Sequence, residues 1–137
     1  MRPFEWIRLS LLAGVLLCGL GCNGPMAWMP GGALVGPEQT AQDWTTAAAG
    51  AETLELETRP EDPYSVRIGF VLRDGDLYID PAEDRRWYAY LVEDRAVRVR
   101  FADVIYRAEV VAVTDANELA GFDDTRHVFR LEPSDER

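Results

Sequence analysis

The 137 residues carry 14 basic side chains, all of them arginine, against 24 acids, for a net charge of −10. That balance excludes a nucleic-acid partner, which needs a basic face to neutralise phosphates, and it excludes adhesion to anionic lipid by overall charge. The chain has no lysine for Schiff-base chemistry, one histidine (His127) and two cysteines (Cys18 and Cys22), which argues against a Ser-His-Asp hydrolase or a zinc enzyme.

The first eight residues, MRPFEWIR, are net positive, and an apolar run from Leu9 to Leu20 follows, broken only by Ser10. Roughly a dozen residues are too few to cross a bilayer, which takes about 20, but they suit the central region of a secretory signal. The run ends in Gly19-Leu20-Gly21-Cys22, with small residues before a cysteine. This segment resembles the lipobox of bacterial lipoproteins. The resemblance implies that residues 1–21 are a signal peptide and that Cys22 becomes an acylated amino terminus carrying palmitate-type chains. Several acyl chains would hold the mature protein on a bilayer, its partner, without spanning it, because each buried methylene contributes about 0.8 kcal/mol. Ordinary signal-peptidase cleavage nearby is the alternative. The expected location is the cell envelope, on the periplasmic side of the inner or outer membrane. Loss of Arg2, Arg8 and Glu5 with the leader leaves 12 arginines against 23 acids, a solvated acidic exterior.

Residues 22–50 are rich in Gly, Pro, Ala and Thr. Asn23 to Gly36 is expected to be a flexible tether, and Pro37 to Ala49 a short helix. Trp28 and Trp44 suit either a headgroup interface or packing on the domain. From Thr53 the period is two: Leu54 and Leu56 face in, Glu55 and Glu57 out. A longer strand runs from Tyr64 to Arg73, with Tyr64, Val66, Ile68, Phe70 and Leu72 on one face. Asp74-Gly75 predicts a two-residue hairpin turn, and Leu77 to Ile79 returns as its partner.

Asp80-Pro81-Ala82-Glu83 has the form of a helix start, followed by a stripe of Trp87, Tyr90 and Leu91 at helical spacing that suits core packing. Val97, Val99 and Phe101 alternate with Arg98 and Arg100, a turn falls at Ala102-Asp103, and Val104 to Val113 forms a long strand. Asp115 caps a short helix that ends at Gly121, and Thr125 to Leu131 is a last strand in which His127 is partly buried. Asp123-Asp124, like Asp74 and Asp76, lacks the spacing of a cation-binding loop, so no metal is expected. Six strands and one or two short helices make a mainly β, α+β domain over residues 51–137. An antiparallel barrel leaves such strands the fewest exposed edges.

The wording of Val71-Leu72-Arg73-Asp74-Gly75-Asp76-Leu77-Tyr78-Ile79, of Trp87 to Val99, of Ile105 to Ala108 and of Val113 to Leu119 is similar to the split β-barrels of the pyridoxamine-phosphate-oxidase-like superfamily, and especially to deazaflavin-dependent nitroreductase relatives. That resemblance implies a six-stranded antiparallel split barrel, a homodimer, and a flavin (FMN) or deazaflavin whose phosphate is held by Arg67, Arg85 and Arg86. Ion pairs of Arg85 and Arg86 with Asp80, Glu83 or Asp84 are the competing role. The basic loop of the deazaflavin relatives is replaced by Arg59-Pro60-Glu61-Asp62-Pro63, whose two acids repel phosphate. The preferred expectation is therefore a lipoprotein whose barrel is a binding or structural module for a periplasmic protein partner, with no cofactor and no catalysis. A flavin- or deazaflavin-dependent oxidoreductase is the alternative.

Overall fold

The computed structural model describes residues 24–135; Cys22, the expected lipidation site, lies outside the described residues with the leader. The described residues form β1 (Glu38–Gln39), α1 (Trp44–Ala47), β2 (Thr53–Thr58), β3 (Tyr64–Gly69), β4 (Val71–Arg73), β5 (Asp76–Ile79), α2 (Arg86–Glu93), β6 (Ala96–Phe101), β7 (Val104–Ala112), α3 (Ala116–Leu119) and β8 (Phe129–Pro133). No helix among them is long and apolar enough to cross a membrane.

One antiparallel path runs β3-β2-β6-β7-β8-β5-β4, and β1 adds in parallel beside Ile105 and Tyr106 of β7. The two edges of this path, β3 and β4, are joined through the single residue Phe70, so the sheet curls until its edges meet along the chain. This is a split barrel, mainly β with three short helices. It has eight strands where six were expected, for two reasons. The strand predicted over residues 64–73 bends at Phe70, its first half pairing with β2 and its second with β5. The extra strand, β1, comes from the segment expected to be tether and helix.

Burial explains the curl. Leu54 and Leu56 of β2, Leu77 and Ile79 of β5, Val97, Val99 and Phe101 of β6, Val110 of β7 and Leu131 of β8 all point into one core, closed by Trp87 and Leu91 of α2. The Asp74-Gly75 turn forms as predicted, with positive φ at both residues (55° and 88°), a backbone that glycine adopts without steric cost.

Two helix starts differ from expectation. Asp80-Pro81 does not open α2, because Ala82 bridges to Arg126 and the Pro81 carbonyl accepts the His127 N–H; the backbone is committed to that pairing and the helix begins at Arg86. His127 therefore precedes β8 rather than lying within it. Pro37 to Ala49 yields only the short α1, capped by the Asp43 carboxylate on the Thr46 N–H at 2.7 Å, because Glu38 and Gln39 are taken up by β7.

Residues 31–39 lie across the outer face of β2, β3, β6 and β7, and the chain then turns so that Ala41, Trp44 and Ala48 join the core, with α1 against β5. Leu34, Ala41, Trp44 and Ala48 are buried, and the Trp44 indole N–H donates to the Leu131 carbonyl at 2.8 Å. Ser65, read as outward-facing, is buried under this strap and donates its hydroxyl to the Gly32 carbonyl. Glu57, also read as solvent-facing, is only 2% exposed. It accepts hydrogen bonds from Arg98 at 2.8 Å and from the Leu34 N–H at 2.7 Å.

Candidate functional site

A cleft of about 550 Å³ opens between β3 and the amino end of α2. Its walls bring together Arg67, Arg85 and Arg86, the three residues expected to hold phosphate, although 18 positions separate Arg67 from Arg85. Each arrives by a different route. Arg67 is outward-pointing in the two-residue repeat of β3, between Val66 and Ile68. Arg85 is the residue before the first turn of α2, and Arg86 begins that turn.

The three guanidiniums differ in their freedom. Arg67 is half-exposed and bonded to Glu55 (Nη2 to Oε1, 3.2 Å), a carboxylate that Arg100 also holds. Burial raises the Glu55 carboxyl, but the hydrogen bonds from Arg100 and Arg67 outweigh it and hold it below its ordinary value. Among the described residues, Arg85 and Arg86 form no ion pair, although Asp80 and Asp84 line the same cleft. The competing role, pairing with the adjacent acids, is therefore not the one the side chains adopt. Arg85 makes no side-chain cap on α2 either, so the N-cap residue gives the first N–H groups of that eight-residue helix no side-chain acceptor. An anion at that position meets guanidinium forks and the positive end of a helix dipole together.

Two further components were not found in the sequence. Arg126 lies about 40 residues downstream of the helix start and reaches the cleft because its backbone bridges Ala82; its Nη1 donates to the Asp80 carbonyl at 3.0 Å. No local pattern marks it, since the pairing is tertiary. The other component is a tight reverse turn, Met26 to Met29, whose flanking methionines exchange backbone hydrogen bonds at 2.8 and 3.1 Å and whose Ala27, Trp28 and Met29 form one lip of the cleft. Counting side chains, the cleft sets four arginines against two aspartates, a positive site on a protein of net charge −10.

The acidic loop at residues 59–63 does not line this cleft. Arg59 is instead spent on Asp62 at 3.3 Å and on the face of Tyr90, 3.7 Å from the ring centroid. Repulsion between Glu61 or Asp62 and a phosphate is accordingly not an objection to anion binding here. The remaining polar clusters have evident structural roles. Glu118 at α3 accepts from Tyr78 and Arg130, while its carbonyl takes Arg73, so α3 is pinned to β4, β5 and β8. His127 stacks on Tyr88 with ring centroids 4.3 Å apart. Asp123 closes its own turn on Thr125.

No protein-family model matches the chain, and no curated protein matches it by sequence. Its fold does match solved structures. One is a Listeria innocua protein provisionally described as a pyridoxamine 5'-phosphate oxidase, at 15% identity with a TM-score of 0.53, covering 66% of this chain and 90% of that one. Another is an FAD-binding protein from Mycobacterium smegmatis, at 16% identity with a TM-score of 0.51, covering 68% of this chain and 88% of that one. These likenesses show the fold alone, a split barrel shared with those two proteins.

Proposed function

We propose that this protein is an exported, lipid-anchored split barrel that acts as a binding module, receiving a phosphate-bearing anion in the cleft of Arg67, Arg85, Arg86 and Arg126. The observation that carries the reading is the pair Arg85 and Arg86, whose guanidiniums line a cleft of ligand size without an ion pair among the described residues. Small-molecule sites occupy roughly 300–1,000 Å³. The lipid anchor is supported by the short apolar leader and the Gly-Leu-Gly-Cys sequence ending at Cys22. A protein ligand in the envelope would then be met by the acidic remainder of the surface.

Calorimetric titration of the purified protein with pyrophosphate tests the binding role, and mass measurement of the native amino terminus tests the anchor. Each charge-assisted hydrogen bond contributes about 1.5–3 kcal/mol, so R85A/R86A should weaken binding by at least about tenfold. Unchanged binding in that variant, or no binding by the parent protein, rejects the cleft. A native chain that retains Met1 and an unmodified Cys22 rejects the anchor.

A second reading is favoured by the same arginines taken with the fold. They fit the phosphate of a flavin, and Arg67, Arg85 and Arg86 would hold it; the bound flavin would supply hydride and electron transfer. In that case the protein is an oxidoreductase. A visible flavin band that stays with the protein through gel filtration, or appears stoichiometrically on titration with FMN, would favour it over the cofactor-free module.

A further inference from the structure

The Met26–Met29 turn is the most apolar exposed feature among the described residues. Trp28 is 89% exposed at its tip, and Met26 and Met29 flank it at 56% and 47%. Of the three tryptophans among the described residues, Trp44 and Trp87 are buried in the core and Trp28 stands in solvent. The turn is well formed rather than frayed: Met26 and Met29 each donate to the other's carbonyl, and Ala27 takes positive φ (51°) to make the reversal. Its backbone polar groups at the flanks are thus satisfied internally, which an element entering an apolar medium requires.

We infer that this turn is a membrane-docking wedge, with Trp28, Met26 and Met29 seated at the headgroup level of the bilayer. The inference rests on the lipid-anchor reading. Two relationships select a bilayer as the occupant. The first is reach: Cys22 lies four residues before Met26, at most about 14 Å of extended chain. Acyl chains at Cys22 would therefore hold the turn within about 14 Å of the anchored cysteine, in reach of the headgroup region. Trp is the side chain best suited to that depth, with an apolar body and an indole N–H that stays wet.

The second is charge. Trp28 and Met29 share the cleft wall with Arg67, which Glu55 pairs, and with Arg85, Arg86 and Arg126, which form no ion pair among the described residues, so a cluster of unpaired arginines borders the wedge. Lipid phosphates lie at that height. The acidic remainder of the surface would be turned away from the bilayer, and the mouth of the cleft would open at the membrane surface rather than toward bulk solvent.

The wedge can be tested apart from acylation. Among the described residues, those of the hydrophobic core run from Leu34 to Leu131, and a chain beginning at Asn23 retains all of them. An amino-terminal hexahistidine on that chain, bound to nickel-chelating vesicles of phosphatidylethanolamine and phosphatidylglycerol, replaces the acyl tether. Because Trp44 and Trp87 are buried, tryptophan emission that responds to surface quenchers reports Trp28. On tethering, iodide quenching should fall by at least about threefold and spin-labelled lipid should quench emission, as expected for an indole at the interface. Both responses should vanish in W28F. Iodide access unchanged on tethered protein overturns the wedge, even where the native terminus proves acylated. Shielding produced by soluble pyrophosphate without vesicles overturns it as well, making Trp28 a lid on the cleft.

Discussion

Arg98 on β6 and Arg107 on β7 stand directly opposite each other in the sheet, and the carboxylate of Glu38 holds both, at 2.6 Å from Nη2 of each. Like charges opposed across antiparallel strands repel. The two-residue strand β1 brings the neutralising acid, so a short segment far upstream makes this part of the sheet electrostatically tolerable. With Glu57 on Arg98, and Glu55 between Arg67 and Arg100, the outer face of β2, β3, β6 and β7 becomes a continuous ladder of alternating charge.

Glu38→Gln should therefore destabilise the fold by about 1 kcal/mol, the scale of a cross-strand charge pair, since Arg98 and Arg107 are left facing each other. Urea unfolding measures it. Added salt should shrink the difference between variant and parent by screening the exposed repulsion.

Glu57→Ala should cost more, about 2–3 kcal/mol, because it strips the buried partner of Arg98 and the acceptor of the Leu34 N–H at once. Glu57→Gln keeps an acceptor for that N–H and should lose less. The same urea experiment compares the two.

Acid should unfold the protein through its paired carboxylates. Burial raises the Glu38 carboxyl, but hydrogen bonds from Arg107 and Arg98 hold it below its ordinary 4.5; Glu55 is held down in the same way by Arg100 and Arg67, and Glu118 by Arg130 and Tyr78. The unfolded chain takes up these protons at a higher pH than the folded chain does. Their contribution is thus fully present above the ordinary value and is lost as pH falls through the lowered ones. Circular dichroism against pH should show stability declining below about pH 4.5, with Glu38→Gln and Glu118→Gln each flattening the slope.

Gly36→Ala should loosen the strap. A Cβ there would sit 2.5 Å from the Asp103 carbonyl oxygen, too close for any side chain. The expected result is faster hydrogen exchange at Leu34 and Ile105, whose amides bond to Glu57 and to the Pro37 carbonyl. Protection in the β5 and β8 core should change less.

Arg126→Ala should weaken pyrophosphate binding about three- to tenfold while barely changing stability, because the Nη1 bond it makes is exposed and goes to a single carbonyl. Calorimetry and urea unfolding separate the two effects.

The sequence by itself determined the local geometry of this protein. Alternation of Leu54 and Leu56 with Glu55 and Glu57, and of Val97 and Val99 with Arg98 and Arg100, specifies strands because period two is a property of neighbouring residues. Asp74-Gly75 specifies its turn because positive φ is a property of the residues in it. Arg67, Arg85 and Arg86 were singled out through family resemblance, and only the curled sheet placed them on one cleft. What required the tertiary structure was everything that depends on a distant partner: the bend at Phe70, the late start of α2 once Pro81 and Ala82 bond to residues 126–127, the burial of Glu57 beneath Leu34, and the arrival of Arg126. Long-range pairing decides these because a backbone group bonded across the fold is no longer available to its local pattern, and a polar side chain can be buried where a distant segment supplies its partner.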